Sequence, residues 1–253
     1  MKNILVTNDD GINARGIKIL AGQLETLGNV WVIAPDSEKS TCSHSMSLGK
    51  PVRVEKIGDR IFAVEGTPTD CVVFAVRLLL RSKPDLIISG INRGFNLGDD
   101  VTYSGTVAGA LEGSLMGIPS FAVSIDAGKE IHFETAAHFA LRLGKIIFKK
   151  GLPAGSFLNV NVPNLPMSRI QGAEITTQGK RIYRDKIRRV TNRGSMYYWI
   201  TDERRPGWKN EDGSDFSAIA RGKISVTPLC TNLTDKRWSS KTYFYSLDLN
   251  GNL

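Results

Sequence analysis

Short runs of continuous apolar residues alternate along the N-terminal part of the chain with longer stretches in which apolar residues recur every third or fourth position. The first pattern suits strands buried on both faces, and the second suits helices that cover a sheet. Ile4 to Thr7 is strand-like, and Ala14 to Leu27 follows as a helix with Ile17, Leu20, Leu24 and Leu27 on one face. Gly28 and Asn29 supply its stop signal, and VWVIAP from Val30 to Pro35 is the next strand. Strand, helix and strand at this spacing imply a parallel sheet.

The alternation continues. Pro51 to Lys56 and Arg60 to Glu65 form an antiparallel pair around Gly58 and Asp59. GTPTD opens a helix, with Thr67 or Thr69 as N-cap and CVVFAVRLLL behind it. Leu86 to Gly90 is a short buried strand, SGTVAGALEGSLMG a helix rich in small residues, Ile118 to Ser124 a strand, and Thr135 to Lys149 an amphipathic helix. FLNVNVP is expected to be the last strand of the parallel sheet. Beyond it EITTQ, SMYYWI and KISVTPL are β-rich, with charged spacers and little helix signal. No Pro/Gly/Ser linker divides the chain, so residues 1–253 are expected to form one domain. Its parts are an α/β core over 1–165 and a mainly β extension with an oligomerisation tail over 166–253. The aromatics of KRWSSKTYFYSLDLNGNL suit packing on a partner subunit.

Composition narrows the classes. With 253 residues, 41% hydrophobic content and a mean hydropathy of -0.14, the chain has the make-up of a globular protein. No apolar run approaches the roughly 18 residues of a membrane span. The N-terminus turns acidic too early for a signal-peptide apolar region, which makes the cytoplasm the expected compartment. Cys42, Cys71 and Cys230 are odd in number and widely spaced, so neither a disulfide framework nor a zinc motif is suggested. The net charge of +8 favours phosphorylated or polyanionic partners. Its densest stretch, Lys180 to Arg189, suits either a solvated hairpin or contact with phosphate or nucleic acid. Tyr183 is the only aromatic within that run, fewer than a stacking platform usually carries.

Ligands of open α/β sheets bind at the carboxyl ends of the strands. There the first strand runs into Asn8, Asp9 and Asp10. Adjacent carboxylates beside a buried strand make sense if a hard divalent cation, Mg²⁺ or Mn²⁺, cancels their repulsion, with a Ser hydroxyl and an Asn amide oxygen completing the protein ligands. The competing explanation is that one Asp caps the following helix while the other is solvated. The second strand ends in a Ser-rich loop, Asp36 to Lys50, containing Ser40 and His44. The strand from Leu86 ends in GINRGFNLGDD, which carries Asn92, Asn96, Asp99 and Asp100. Ser104, Gly105 and Thr106 then start a helix whose free N–H groups and hydroxyls suit an anion, although plain capping would also explain them. His44 is either a general acid or substrate contact, or a group that orders its loop.

These segments resemble the SurE family of survival-protein phosphatases, which act as 5'- and 3'-nucleotidases. The resemblance rests on ILVTNDDG at 4–11, APDSEKSTCSHS at 34–45, GTPTDCV at 66–72, ISGINRGFNLGDD at 88–100 and YSGTVAGALEG at 103–113. It implies a Rossmann-like three-layer core, a protruding β-hairpin, and one divalent metal ion held by Asp9, Asp10, Ser40 and Asn92. It also implies a phosphate facing Asn96 and the stretch from Ser104 to Thr106, and assembly as a homodimer or homotetramer. Nucleoside monophosphates are the implied substrates, with short polyphosphate or RNA ends as further partners. Phe95 stands where the family usually has Pro, and the tail after Trp238 lacks a clear helix pattern.

The expected chemistry is hydrolysis of a phosphomonoester by a metal-activated water, with Asp9 or Asp10 orienting or deprotonating it. A signalling receiver module also binds Mg²⁺ through an acidic pair after its first strand. It would have to use Asp36 as phosphoacceptor, and it leaves the Ser-rich loop and the SGT helix start without a role. A haloacid-dehalogenase-like phosphatase needs a D-x-D nucleophile motif, whereas here the acids are adjacent and position 11 is Gly. RNA binding without catalysis, through the basic segment, is the remaining alternative.

Overall fold

The computed structural model describes residues 1–183, 185–192, 195–202, 207–209 and 211–235. In chain order its elements are β1 (Asn3–Thr7), α1 (Arg15–Leu24), β2 (Asn29–Pro35), β3 (Val54–Gly58), β4 (Ile61–Val64), α2 (Pro68–Phe74), β5 (Leu86–Arg93), α3 (Gly105–Leu115), β6 (Ser120–Ile125) and α4 (Phe133–Lys150). There follow β7 (Ser156–Val162), β8 (Ala173–Ile175), β9 (Arg181–Ile182), β10 (Asp185–Asn192), β11 (Ser195–Asp202), β12 (Gly207–Trp208), α5 (Asp215–Ala220) and β13 (Ile224–Cys230).

Nine strands form one sheet in the order β3-β4-β2-β1-β5-β6-β7-β13-β8. From β4 across to β7 all neighbours are parallel. The two-residue period of β1 divides its side chains between two cores. Ile4 and Val6 join α1 and α4 on one face, while Leu5 joins α2 on the other. The result is a three-layer α/β/α arrangement. Because β1 is flanked by β2 on one side and β5 on the other, the strand order reverses at β1, and a crevice opens beyond its C-terminal end.

On the second face α3 lies close against the sheet. A Cβ on Gly105 would stand 2.6 Å from Cys42 Sγ and 2.9 Å from Asp9 Cβ, and one on Gly109 would stand 2.8 Å from Ser89 Oγ. One on Gly113 would press on the Ser120 hydroxyl. Glycine at every fourth position therefore gives the helix a bare stripe facing the strands. In β5, Gly90 has φ +143 and a Cβ there would collide with the Val123 carbonyl, so only glycine fits. The β5–β6 register shifts just beyond it, between Gly90 and Asn92.

Several expectations need correction. Strand β7 is the last of the parallel run but not the edge of the sheet. β13 adds to it antiparallel, and β8 then pairs parallel to β13. The core sheet thus crosses residue 165 and takes in Ala173–Ile175 and Ile224–Cys230, while the β10–β11 hairpin forms its own two-stranded sheet. Little helix signal was expected in this region, yet α5 is present, capped by Ser214 Oγ accepting from the Ser217 N–H. With six residues it is too short to show periodicity. The apolar run after GTPTD is α-helical only to Phe74 and continues as a π-helical turn, Ala75–Leu79. The aromatic tail from residue 236 onward lies outside the described residues.

Candidate active site

The crevice beyond β1 is a cavity of about 910 Å³. Asp9, Asp10, Ser40, Asn92, Asn96 and Ser104 all line it, together with Glu38, Arg93, Phe95, Asp100, Tyr103, Arg181, Tyr183 and Ile200. Three strand ends and the first turn of α3 thus meet at one place.

Asp9 lies two residues beyond the end of β1 and is 5% exposed. Its Oδ2 accepts the Thr106 N–H at 2.9 Å, and its Oδ1 accepts the Thr106 hydroxyl in a short hydrogen bond. Burial raises its pKa to about 6, against the lowering by the Thr106 hydroxyl and with a further push from Asp10. Asp10 is half-buried. Its Oδ2 accepts the Arg93 N–H at 3.1 Å. Burial also raises its pKa, opposed by that hydrogen bond and aided by the charge of Glu38.

Asn8 shapes the turn behind these acids. Its Nδ2 donates to the Gly11 carbonyl at 3.0 Å, and Gly11 has φ +96. The Ser-rich loop is tied down at several points. Lys39 N–H donates to the Asp9 carbonyl, Ser43 Oγ to the Thr102 carbonyl, and Ser47 N–H and Oγ to the Asp70 carboxylate. Asp70 also completes a capping box with Thr67, the N-cap of α2. The GTPTD motif therefore starts a helix and anchors the loop that carries Ser40. Thr41 and Ser43 hold φ 56 and 53 in that loop, a conformation side chains rarely adopt.

Asn96 is 7% exposed and fixed from behind. Its N–H donates to Asn161 Oδ1 at 2.8 Å, its carbonyl accepts from Asn159 and Asn161 Nδ2, and its own Nδ2 donates to Ser124 Oγ at 2.7 Å. Farther along the same loop, Asp215 accepts the Gly98, Gly179 and Phe216 N–H groups. Burial raises its pKa, with those three bonds opposing. Through Asp215 the segment leading into β9 is fastened beside the site. Arg181 then pairs with Asp100 and lies over the Tyr183 ring, 4.9 Å from its centroid.

Six of the expected site residues thus face one cavity, and three do not. Thr106 is fully buried beneath it, with both its donors on Asp9, and Gly105 packs against Asp9 and Cys42. His44 Nε2 meets Glu112 Oε2 at 2.9 Å and lines a different, largely apolar groove between α3 and β13. Sequence reasoning missed Asp70, Asn159, Asn161 and Asp215 and left Arg181 and Tyr183 unplaced. The two asparagines alternating within an otherwise apolar strand, and Asp215 straight after a Ser cap, were the available signals.

Residues 4–185 match the family described as Survival protein SurE. The chain belongs to this family. It is 53% identical over 234 residues to 5'-nucleotidase SurE of Geotalea daltonii, a match covering 92% of this chain and 94% of that one. It is 50% identical to 5'-nucleotidase SurE of Geobacter sulfurreducens, covering 98% and 94%. The crystal structure of the SurE protein from Aquifex aeolicus superposes with a TM-score of 0.86 at 42% identity, covering 96% of this chain and 99% of that one. SurE membership places the chain among enzymes.

The SurE cavity suits a hard cation. Among the described residues no cluster of three or more His, Cys, Asp or Glu is present, so a cation here would rely on two carboxylates and neutral oxygens. Asn92 Nδ2 donates to the Gly94 carbonyl at 2.9 Å, which leaves its Oδ1 as an acceptor. Each Asp9 oxygen accepts only one hydrogen bond and keeps a lone pair. Such an all-oxygen set with few protein ligands is the kind Mg²⁺ or Mn²⁺ completes with water and phosphate.

Proposed function

We propose that this SurE protein hydrolyses nucleoside 5'-monophosphates, and 3'-monophosphates as well, to nucleoside and phosphate. The observation that carries the reading is the convergence of Asp9, Asp10, Ser40, Asn92, Asn96 and Ser104 on one cavity at the point where the strand order reverses. That site belongs to a chain half identical to proteins named 5'-nucleotidase. A divalent ion held by Asp9, Asp10, Ser40 and Asn92 would act as the Lewis acid for a phosphoryl oxygen and for the attacking water.

The protein's own groups divide the remaining work. Asp9 is immobilised by Thr106, so it sets position rather than moving a proton. Asp10 keeps Oδ1 outside its hydrogen bond to Arg93 and is the carboxylate available to orient and deprotonate water. Ser104 Oγ accepts the Val107 N–H at 3.1 Å, and its hydroxyl proton remains to donate to a phosphate oxygen. Asn96, locked by two strands, supplies a second fixed contact. Preorganised donors of this kind stabilise developing charge without reorganisation.

We place the enzyme in the cytoplasm as a homodimer or homotetramer. No helix among the described residues is long and apolar enough to cross a membrane, and the exposed aromatics Tyr197 and Trp199 suit contact with another subunit. The test is a panel of phosphomonoesters assayed with Mg²⁺, with Mn²⁺ and in EDTA. Nucleoside monophosphates should be hydrolysed with either ion and not in chelator. Ser40→Ala should raise the ion concentration needed for half activity while leaving thermal stability in chelator unchanged. Full activity in EDTA, or no nucleotide among the substrates, would refute the proposal.

A further inference from the structure

The wall of the active-site cavity is mostly charged or polar, and a few rings break that character. Phe95 directly precedes Asn96 and Tyr103 directly precedes Ser104, so an aromatic residue adjoins each of the two groups assigned to the phosphate. Phe95 is half-buried and lines the cavity, yet it belongs to none of the apolar clusters of the core. Among the described residues neither Phe95 nor Tyr103 meets another aromatic ring. Tyr183 lines the cavity too, but the Arg181 guanidinium already lies over its ring.

The backbone on either side of Phe95 is held. Gly94 N–H donates to the Ile125 carbonyl at 2.8 Å, and the Gly94 carbonyl accepts from Asn92 Nδ2. Beyond the ring, Asn96 has both its N–H and its carbonyl bonded to asparagine side chains of β7. A phenyl group on so fixed a stretch has only two torsions of its own and loses little freedom when a ligand covers it. Tyr103 is also tied, through its N–H to the Asp100 carbonyl and its carbonyl to the Ser43 N–H, but it is more open, at 56% exposure.

We infer that Phe95 is the surface on which the substrate's base stacks, and that this contact makes the enzyme favour nucleotides over phosphomonoesters that lack a base. The inference rests on the nucleotidase reading above and names the residue that sets its substrate preference. A nucleotide presents three chemistries at once. Its phosphate is matched by Asn96 and Ser104, its ribose hydroxyls by the polar wall, and its flat base only by a ring. Phe95 carries no polar side-chain atom, so it meets the π-face that every base shares and not the edge that tells bases apart. The preference is therefore for a base as such, and it is greater for the larger purines than for pyrimidines. Because Phe95 and Asn96 are neighbours in one fixed loop, base and phosphate are gripped from adjacent positions of the chain.

The experiment compares kcat/KM for adenosine 5'-monophosphate and for ribose 5-phosphate in the wild type and in Phe95→Ala, Phe95→Leu, Phe95→Trp and Tyr103→Ala. The wild type should favour adenosine 5'-monophosphate. Phe95→Ala should lower the ratio of the two values roughly five- to hundredfold, through KM more than through kcat. Phe95→Leu, which keeps apolar bulk without a π-face, should lower the ratio too, and Phe95→Trp should hold it at or above the wild-type level. Tyr103→Ala should move it less than Phe95→Ala does. An unchanged ratio in Phe95→Ala and Phe95→Leu, with both values intact or both reduced in parallel, would overturn the inference. So would a larger fall in Tyr103→Ala, which would make Tyr103 the platform. A wild type that hydrolyses both esters equally well would overturn it and leave the nucleotidase reading standing, whereas no hydrolysis of adenosine 5'-monophosphate would sink that reading as well.

Discussion

Replacing Asp9 by Asn should make the metal-free protein more stable at neutral pH while destroying its activity. The Asp9 carboxyl is buried, and its pKa rises from 3.8 to about 6 in the fold. The folded protein therefore holds this proton more tightly than the unfolded chain does. The stability it contributes is fully present below 3.8 and is lost as pH rises through about 6. At 1.36 kcal/mol per pH unit, the ionised side chain weakens the apo fold at pH 7.5 by about 3 kcal/mol relative to low pH. Asn removes that penalty and still fits. Its Oδ1 can take the Thr106 N–H, and the Thr106 hydroxyl can turn to accept from Nδ2. For a domain of this size the gain corresponds to roughly 6–12 °C in Tm. The assay is thermal unfolding of both proteins in EDTA at pH 4 and pH 7.5. The variant should be the more stable at pH 7.5, the two should converge at pH 4, and added Mg²⁺ should stabilise only the wild type. An Asn variant less stable than the wild type at pH 7.5, or a difference independent of pH, would refute the reasoning.

Other expectations follow from the same geometry. Thr106→Val removes the hydroxyl that Asp9 Oδ1 accepts, so the Asp9 carboxyl, followed by ¹³C NMR in chelator, should titrate about one pH unit or more above the wild type. Gly105→Ala forces a methyl against Cys42 and Asp9 and should cost about 1–3 kcal/mol and at least tenfold in kcat/KM. Gly22→Ala, in α1 with nothing within 4 Å, should instead raise the stability measured by urea unfolding by up to about 1 kcal/mol with unchanged activity. Asp215→Ala strands the N–H groups of Gly98, Gly179 and Phe216, and should cost about 3 kcal/mol or more in urea unfolding while raising KM.

The fold was legible where it depends on local pattern. Buried strands and covering helices announced themselves from β1 to β7, and with them the sheet edge on which ligands bind. That is why Asp9, Asp10, Asn92 and Ser104 stood out as polar groups placed where a core would not want them. Partnerships across long separations were hidden. Asp215 binds Gly98, 117 residues away, and Asn161 binds Asn96, 65 residues away. No window of sequence contains both members of such a pair. The direction of β13 was equally invisible, because an apolar run carries no mark of whether it will pair parallel or antiparallel. The division of labour within SGT was hidden for another reason. A helix start offers its N–H groups equally to phosphate or to a carboxylate of the protein, and only the closeness of α3 to the sheet gives Thr106 to Asp9.

That closeness makes the site adjustable from a distance. Gly105, Gly109 and Gly113 lie along about 12 Å of helix, and together they set how high the first turn of α3 rides above the strands. The grip of Thr106 on Asp9 is therefore an interlayer spacing expressed at one end of the helix. A methyl added at Gly113, against Ser120 and far from any reacting group, would act as a shim under the helix. It would tilt the first turn and slacken the hold on the carboxylate while the protein stayed folded. Variants at Gly109 and Gly113 thus offer a graded control over the site that reaches it through thickness alone, touching neither substrate nor ligand.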